Sequence, residues 1–169
     1  MKGGIIDPNA RPDGTVTSFV GVGSNVGDRA AHVAFAFDAL DRAAGIRLVR
    51  RSTIHETAPV GPPGQGPYLN AVVELAVGLS PLELLATLLD IERVRGRDRA
   101  TEIRFGPRTL DLDILTWGAA EPGGARIDSP GLVVPHPRMH DRVFVLAPLA
   151  ELDPALASRA ASTHVHLGH

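Results

Sequence analysis

The chain has 169 residues, a formal net charge of −2, 44% hydrophobic residues and no cysteine. That length supports one domain with a genuine core, the missing cysteine excludes disulfides, thiolate nucleophiles and cysteine-type zinc sites, and the charge excludes a general attraction to nucleic acid or membranes. Of the 17 basic residues only Lys2 is a lysine, which excludes a Walker-type phosphate loop and argues against a lysine Schiff base, so any phosphate is bound by arginine.

Residues 1–15, rich in Gly, Pro and polar groups, read as a flexible N-terminal extension. They lack the apolar core of a signal peptide, and no apolar run reaches membrane-spanning length, so a soluble, cytoplasmic protein is expected. Thr17 to Gly23 is a short apolar strand. Asp28 is placed to cap a helix whose Val33, Ala36, Phe37 and Leu40 share one face, and Gly45 ends it. Ile46 to Thr57 is β-rich, and the Gly/Pro-dense stretch 58–67 is a long loop. Tyr68 to Val77 alternates, with Leu69, Ala71, Val73, Leu75 and Val77 on one face and Tyr68, Asn70, Val72 and Glu74 on the other. Ser80, Pro81 and Glu83 form a capping box that launches a helix to about Arg95, expected to bury Leu82, Leu85 and Leu89, with Leu84, Leu88 and Ile91 widening the stripe. Trp117 to Ser129 reads as irregular, Phe144 to Leu152 as a helix, and 158–169 as a disordered tail. One domain, 16–157, is expected.

The most informative stretch is Arg104-Phe105-Gly106-Pro107-Arg108-Thr109-Leu110-Asp111-Leu112-Asp113-Ile114. In a strand the side-chain period is two, so Leu110, Leu112 and Ile114 point one way and Asp111 and Asp113 the other. Neighbouring carboxylates repel unless they face water or share a cation, and Mg²⁺ is commonly held by one or two carboxylates plus substrate phosphates. Alone, Asp-x-Asp is better explained by a half-buried edge strand with a solvated acidic face; the arginines flanking a Gly-Pro turn move the balance towards a site. The order of elements, with strands apolar on one side, predicts an α+β domain with a ferredoxin-like βαββαβ antiparallel sheet, helices on one face and the ligand site on the other.

Gly21-Val22-Gly23-Ser24-Asn25, Tyr68-Leu69-Asn70-Ala71-Val72, the Gly106 to Ile114 segment and Val134-Pro135-His136-Pro137-Arg138 together resemble the 6-hydroxymethyl-7,8-dihydropterin pyrophosphokinase family over about residues 17–154. The resemblance implies transfer of pyrophosphate from ATP to the pterin hydroxymethyl oxygen in folate biosynthesis, with ATP and the pterin as partners, no nucleic acid or membrane partner, and a monomer. It makes Asp111 and Asp113 ligands of two Mg²⁺ ions and Arg97, Arg108 and Asp113 catalytic. Either Asp113 or a water on the metal takes the hydroxyl proton, and the sequence leaves the two open. Glu92, Arg99, Arg104, Ile114, His136 and Arg142 match ATP-side positions, and Thr57, Pro59, Val60, Tyr68, Asn70, Phe105 and Phe144 match the pterin side. Residues 58–67 and 97–108 are expected to be lids that exclude water. One residue is inserted between Arg99 and Arg104, Leu89 replaces a commonly polar residue, and Phe105 a frequent tryptophan.

Plainer readings stand beside these. Arg93 and Arg95 read as a solvated helix end, whereas Arg97 and Arg99 lie beyond the helix in a loop, where a ligand role is favoured. A dinucleotide fold is a poor match, because the third glycine of its fingerprint falls on Val26. An RNA-binding module needs sheet aromatics and a basic surface, against 4% aromatics here. A catalytically silent pterin- or nucleotide-binding regulator is the alternative from another class.

Overall fold

The computed structural model describes residues 10–118 and 124–162. Strand β1 (Val16–Ser24) leads to helix α1 (Arg29–Arg42), whose first turn is capped by Asp28 accepting the Ala31 N–H at 3.0 Å. Strands β2 (Ile46–Arg51) and β3 (His55–Thr57) both pair with β4 (Tyr68–Val77). The single β-rich segment expected over Ile46 to Thr57 is therefore broken, because the Ser52 hydroxyl accepts the Val72 N–H while the Ser52 N–H donates to Val72. Helix α2 (Pro81–Val94) starts at the Ser80/Glu83 capping box and returns the chain to β5 (Asp111–Trp117).

The sheet runs antiparallel in the order β2-β4-β1-β5, the ferredoxin-like arrangement. On one face, α1 and α2 close the main core around Val20, Val33, Leu40, Leu75, Leu84 and Leu88. The other face is shared. Helices α3 (Val143–Leu152) and α4 (Pro154–Ser162) cover Phe19, Val72 and Leu115 with Val145, Leu149 and Leu156, and this second cluster makes β4 buried on both sides over most of its length. The ligand side is thereby confined to the ends of β1, β4 and β5 nearest Ser24, Tyr68 and Asp111.

Several local expectations change. Helix α1 buries the four residues read from the sequence, but α2 buries Leu84, Leu88, Ile91 and Glu92 while Leu82 is 53% exposed and Leu85 and Leu89 are half-buried. With so many apolar positions in this helix two stripes fit the pattern, and the polar requirements of Glu92 select one. Trp117 ends β5, and the irregular region beyond it holds a hairpin of β6 (Ile127–Ser129) and β7 (Leu132–Val134); residues 119–123 lie outside the described residues. Within the N-terminal extension, Ala10 bridges to Val16 and Arg11 reaches Glu74 at 2.7 Å and Thr17 at 2.8 Å, while residues 1–9 are outside the description. Residues 158–162, read as tail, belong to α4, and 163–169, with the tail histidines, lie outside it.

The α2 correction has a direct test in urea unfolding. Leu88→Ala, at a site with no exposure, is expected to cost about 2–5 kcal/mol, and Leu82→Ala no more than about 0.5 kcal/mol. The reverse ranking would mean that α2 presents its other stripe.

Candidate active site

Register places the chemistry in rows across the sheet. Gly23 pairs with Asn70 on β4 and Asp111 on β5, and Gly21 pairs with Val72 and Asp113. The central strand thus contributes two glycines exactly one pleat period apart on the ligand face, leaving an uncovered floor between Asn70 and Asp111, which stand about 10 Å apart by strand spacing. A Cβ at Gly23 would sit 3.0 Å from Asn70 Oδ1 and 3.6 Å from the Tyr68 ring. The glycines read from the sequence as a failed dinucleotide fingerprint are the floor of a cleft of about 370 Å³.

The two carboxylates differ in their partners. Asp111 Oδ1 accepts from Arg97 Nη1 at 2.6 Å and Arg108 Nη1 at 3.0 Å. Among the described residues, Asp113 Oδ2 has only Arg142 Nη1 at 3.7 Å and His136 Nε2 at 4.0 Å as ion-pair partners. Burial, with the Asp111 charge beside it, pushes Asp113 up to about 7. His136 Nδ1 accepts the Arg138 N–H at 3.2 Å, which assigns the ring proton to Nε2. Burial and the Arg142 and Arg138 charges lower His136 to about 4, so it faces Asp113 as a neutral donor.

Beneath Asp111 lies a closed ionic cluster. The Arg97 side chain is 2% exposed and bonds Glu92, Glu102, Asp111 and the Leu110 carbonyl. Burial opposes its charge, but Glu102, Asp111 and Glu92 together hold its pKa above the ordinary value. Glu92 also accepts the Leu112 N–H at 2.8 Å and Arg99 Nη2 at 2.7 Å. The cluster ties α2 and the 97–110 loop to β5 and aims Asp111.

The loops are joined above the floor. Asn25 accepts the Arg108 N–H on Oδ1 at 2.8 Å, donates its own N–H to the Arg108 carbonyl, and donates Nδ2 to Gln65 and Gly66. Gln65 Nε2 donates to the Phe105 carbonyl at 2.8 Å, and Gly61 approaches that carbonyl too closely for a Cβ. The stretches expected to be lids are thus bonded to each other and to the β1–α1 turn.

The cleft is lined by Thr57, Val60, Tyr68, Asn70, Phe105, Arg108, Asp111, Asp113, His136, Arg142 and Phe144, all singled out from the sequence. Pro59 is not part of that wall, although Ala58 and Val60 are. The Ile114 side chain belongs to the main core, as its place in the strand alternation requires, and Arg104 lies over the Phe105 ring. Glu92, Arg97 and Arg99 line a second cavity of about 420 Å³ together with Leu89; Arg97 lies beyond α2, as read, with its side chain buried in the ionic cluster. Arg95, read as solvated, stacks on Phe35 and donates to His32 at 3.0 Å. Sequence reading missed Gly21, Gly23, Leu115, Arg138 and Asp141 as cleft residues; glycines at alternate positions of a strand were the available signal.

The donor set fits Mg²⁺. Among the described residues no three His, Asp or Glu side chains converge as a metal cage. What the cleft offers is two hard oxygen ligands whose mutual repulsion is unrelieved at Asp113, which suits an ion that completes its shell with water and substrate phosphates. Arg108 Nε is buried without a hydrogen-bond partner, a spare donor beside the same carboxylates.

Two outcomes follow from these charges. In the fold Asp113 keeps a proton that the unfolded chain has released between pH 3.8 and about 7, so ligand-free stability falls as pH rises through that window. Asp113→Asn should therefore raise the melting temperature at pH 8 in chelator and leave it unchanged near pH 3.5; an equal effect at both would show that its ionisation is not strained. Arg97→Ala should cost about 3–5 kcal/mol in urea unfolding, because Glu92, Glu102 and Asp111 all lose the cation they share; a near-neutral result would dissolve the clamp.

Comparison with known proteins matches this sequence to a family. The sequence model of 7,8-dihydro-6-hydroxymethylpterin-pyrophosphokinase (HPPK) matches residues 19–154. The chain is 42% identical over 145 residues to the 2-amino-4-hydroxy-6-hydroxymethyldihydropteridine pyrophosphokinase of Bacillus subtilis, covering 86% of this chain and 83% of that one. With the enzyme of the same name from Pseudomonas aeruginosa it shares 43% over 138 residues, covering 82% and 81%. In fold it is similar to a crystal structure of HPPK-DHPS in complex with substrates, with a TM-score of 0.61 at 12% identity, covering 88% of this chain and 43% of that one. Matched over most of its length, with the motif residues gathered in one cleft, the chain belongs to the 7,8-dihydro-6-hydroxymethylpterin-pyrophosphokinase family.

Proposed function

We infer that the chain transfers a pyrophosphoryl group from ATP to 6-hydroxymethyl-7,8-dihydropterin, giving AMP and the pterin diphosphate, in folate biosynthesis. The observation that carries this reading is the row Asn70, Gly23, Asp111: a polar pterin-side group and a metal-side carboxylate face each other across a bare glycine floor. Tyr68 and Phe144 offer ring faces for the flat heterocycle. Asn70 donates Nδ2 to Thr57 Oγ1 at 2.6 Å, which leaves its Oδ1 as an acceptor over the floor.

In the reaction the hydroxymethyl oxygen gives up its proton, to Asp113 or to a water, and bonds to the β-phosphorus while the bond from that phosphorus to the α–β bridging oxygen breaks, and AMP leaves with the electron pair. Asp111 and Asp113 would hold two Mg²⁺ ions, which supply charge neutralisation and alignment of the phosphate oxygens. Arg108 and Arg142 add guanidinium donors, and neutral His136 adds its Nε2–H, toward the transferring group. Arg97 acts from below by fixing Asp111. The same reading has the enzyme working as a cytoplasmic monomer.

The test is AMP formation from Mg-ATP with and without the pterin, following the pterin diphosphate in parallel. Pterin-dependent AMP, falling on the order of a hundredfold or more in Asp113→Ala, is expected. Absence of AMP with pterin still bound would favour the silent binding module.

A further inference from the structure

Phe105 is where three loops meet. Its carbonyl is held by Gln65 and crowded by Gly61 from the 58–67 loop, its own backbone belongs to the 97–110 loop, and its ring lies under the guanidinium of Arg138, 4.7 Å from the ring centroid, from the segment after β7. Arg104 covers the same ring at 4.9 Å. Phe105 is also, among the described residues, the non-glycine residue with a positive φ, 59°. That left-handed backbone disfavours a bulky side chain, so the ring needs contacts to hold it in place.

Arg138 is exposed, lines the cleft and has no ion-pair partner among the described residues, in contrast to Arg97, Arg99, Arg108 and Arg142. Burial lowers both His136 and Arg142, and the Arg138 charge adds to it in each, so Arg138 stands near the groups expected to meet the polyphosphate. Its backbone N–H also sets the His136 tautomer. A cation in this position attracts the ATP phosphates while its guanidinium face rests on a pterin-side ring.

Building on the pyrophosphokinase reading, we propose that Arg138 is a positioning residue that transmits nucleotide occupancy to the pterin half of the cleft, through its stacking on Phe105. A polyphosphate supplies the anion that Arg138 lacks, immobilises it, and through it seats Phe105 and the two loops bonded to that residue. Pterin then meets a wall already ordered, which raises its affinity.

The test reads pterin affinity by calorimetry with and without a non-hydrolysable Mg-ATP analogue. Wild type should bind the pterin more tightly with the analogue. Arg138→Ala should cut that enhancement, read as the ratio of pterin affinities with saturating analogue and without it, by about fivefold or more; Arg138→Lys, which keeps the charge and can still sit on the ring, should recover part of it. Phe105→Leu should reproduce the loss, and the double variant should add nothing to it. An unchanged enhancement in Arg138→Ala, no enhancement in wild type, or independent losses from the two substitutions would overturn the proposal. Binding alone decides it, so turnover measured on the same wild-type preparation reports separately on the pyrophosphokinase reading.

Discussion

Two carboxylates forced onto one face of one strand are the constraint around which this protein is organised. The period of β5 leaves Asp111 and Asp113 no way to separate, and the fold answers them unequally. Asp111 is neutralised from below and from the side by Arg97 and Arg108, whereas Asp113 keeps only distant cations and a neutral imidazole. A site that spends two guanidiniums on one carboxylate and leaves its neighbour under-compensated is poised for a cation that arrives with an anionic substrate.

The rest of the architecture serves this imbalance. Glu92 and Arg97 form a buried ionic clamp that would be an expensive ornament if it only held the helix to the sheet, since such pairs rarely gain stability over apolar packing. Here the clamp fixes the rotamer of Asp111 and the start of β5 at once. Helices α3 and α4 cover part of the second sheet face with an apolar cluster, and Leu115 and Val145 belong both to that cluster and to the wall of the cleft. Gly21 and Gly23 then keep the floor open where any side chain would fill it.

Much of this was legible in the sequence because it rests on strict periodicities. Alternation in β4 and β5 assigned Asn70, Asp111 and Asp113 to one face, Asp28 and Ser80 marked helix starts, and the order of elements gave the sheet topology. The α2 stripe was not legible, because several leucines satisfy two helical phases and the choice depends on where Glu92 finds Arg97 and Leu112. Arg95 was misread for a related reason: a cation in a polar run looks solvated until the fold brings Phe35 to it, and the same local pattern gave no sign that Glu102 meets Arg97. The second apolar cluster was hidden because the segment Phe144 to Leu152 shows helix without saying which sheet face it covers.

The most direct measurement is retention of Mn²⁺ in equilibrium dialysis, with and without a non-hydrolysable ATP analogue, by the wild-type chain and by Asp113→Asn. If the carboxylate pair waits for a metal that comes with phosphate, wild type should retain Mn²⁺ only when the analogue is present, and Asp113→Asn should lose most of it. Tight Mn²⁺ binding without nucleotide, or equal retention after the substitution, would contradict that account.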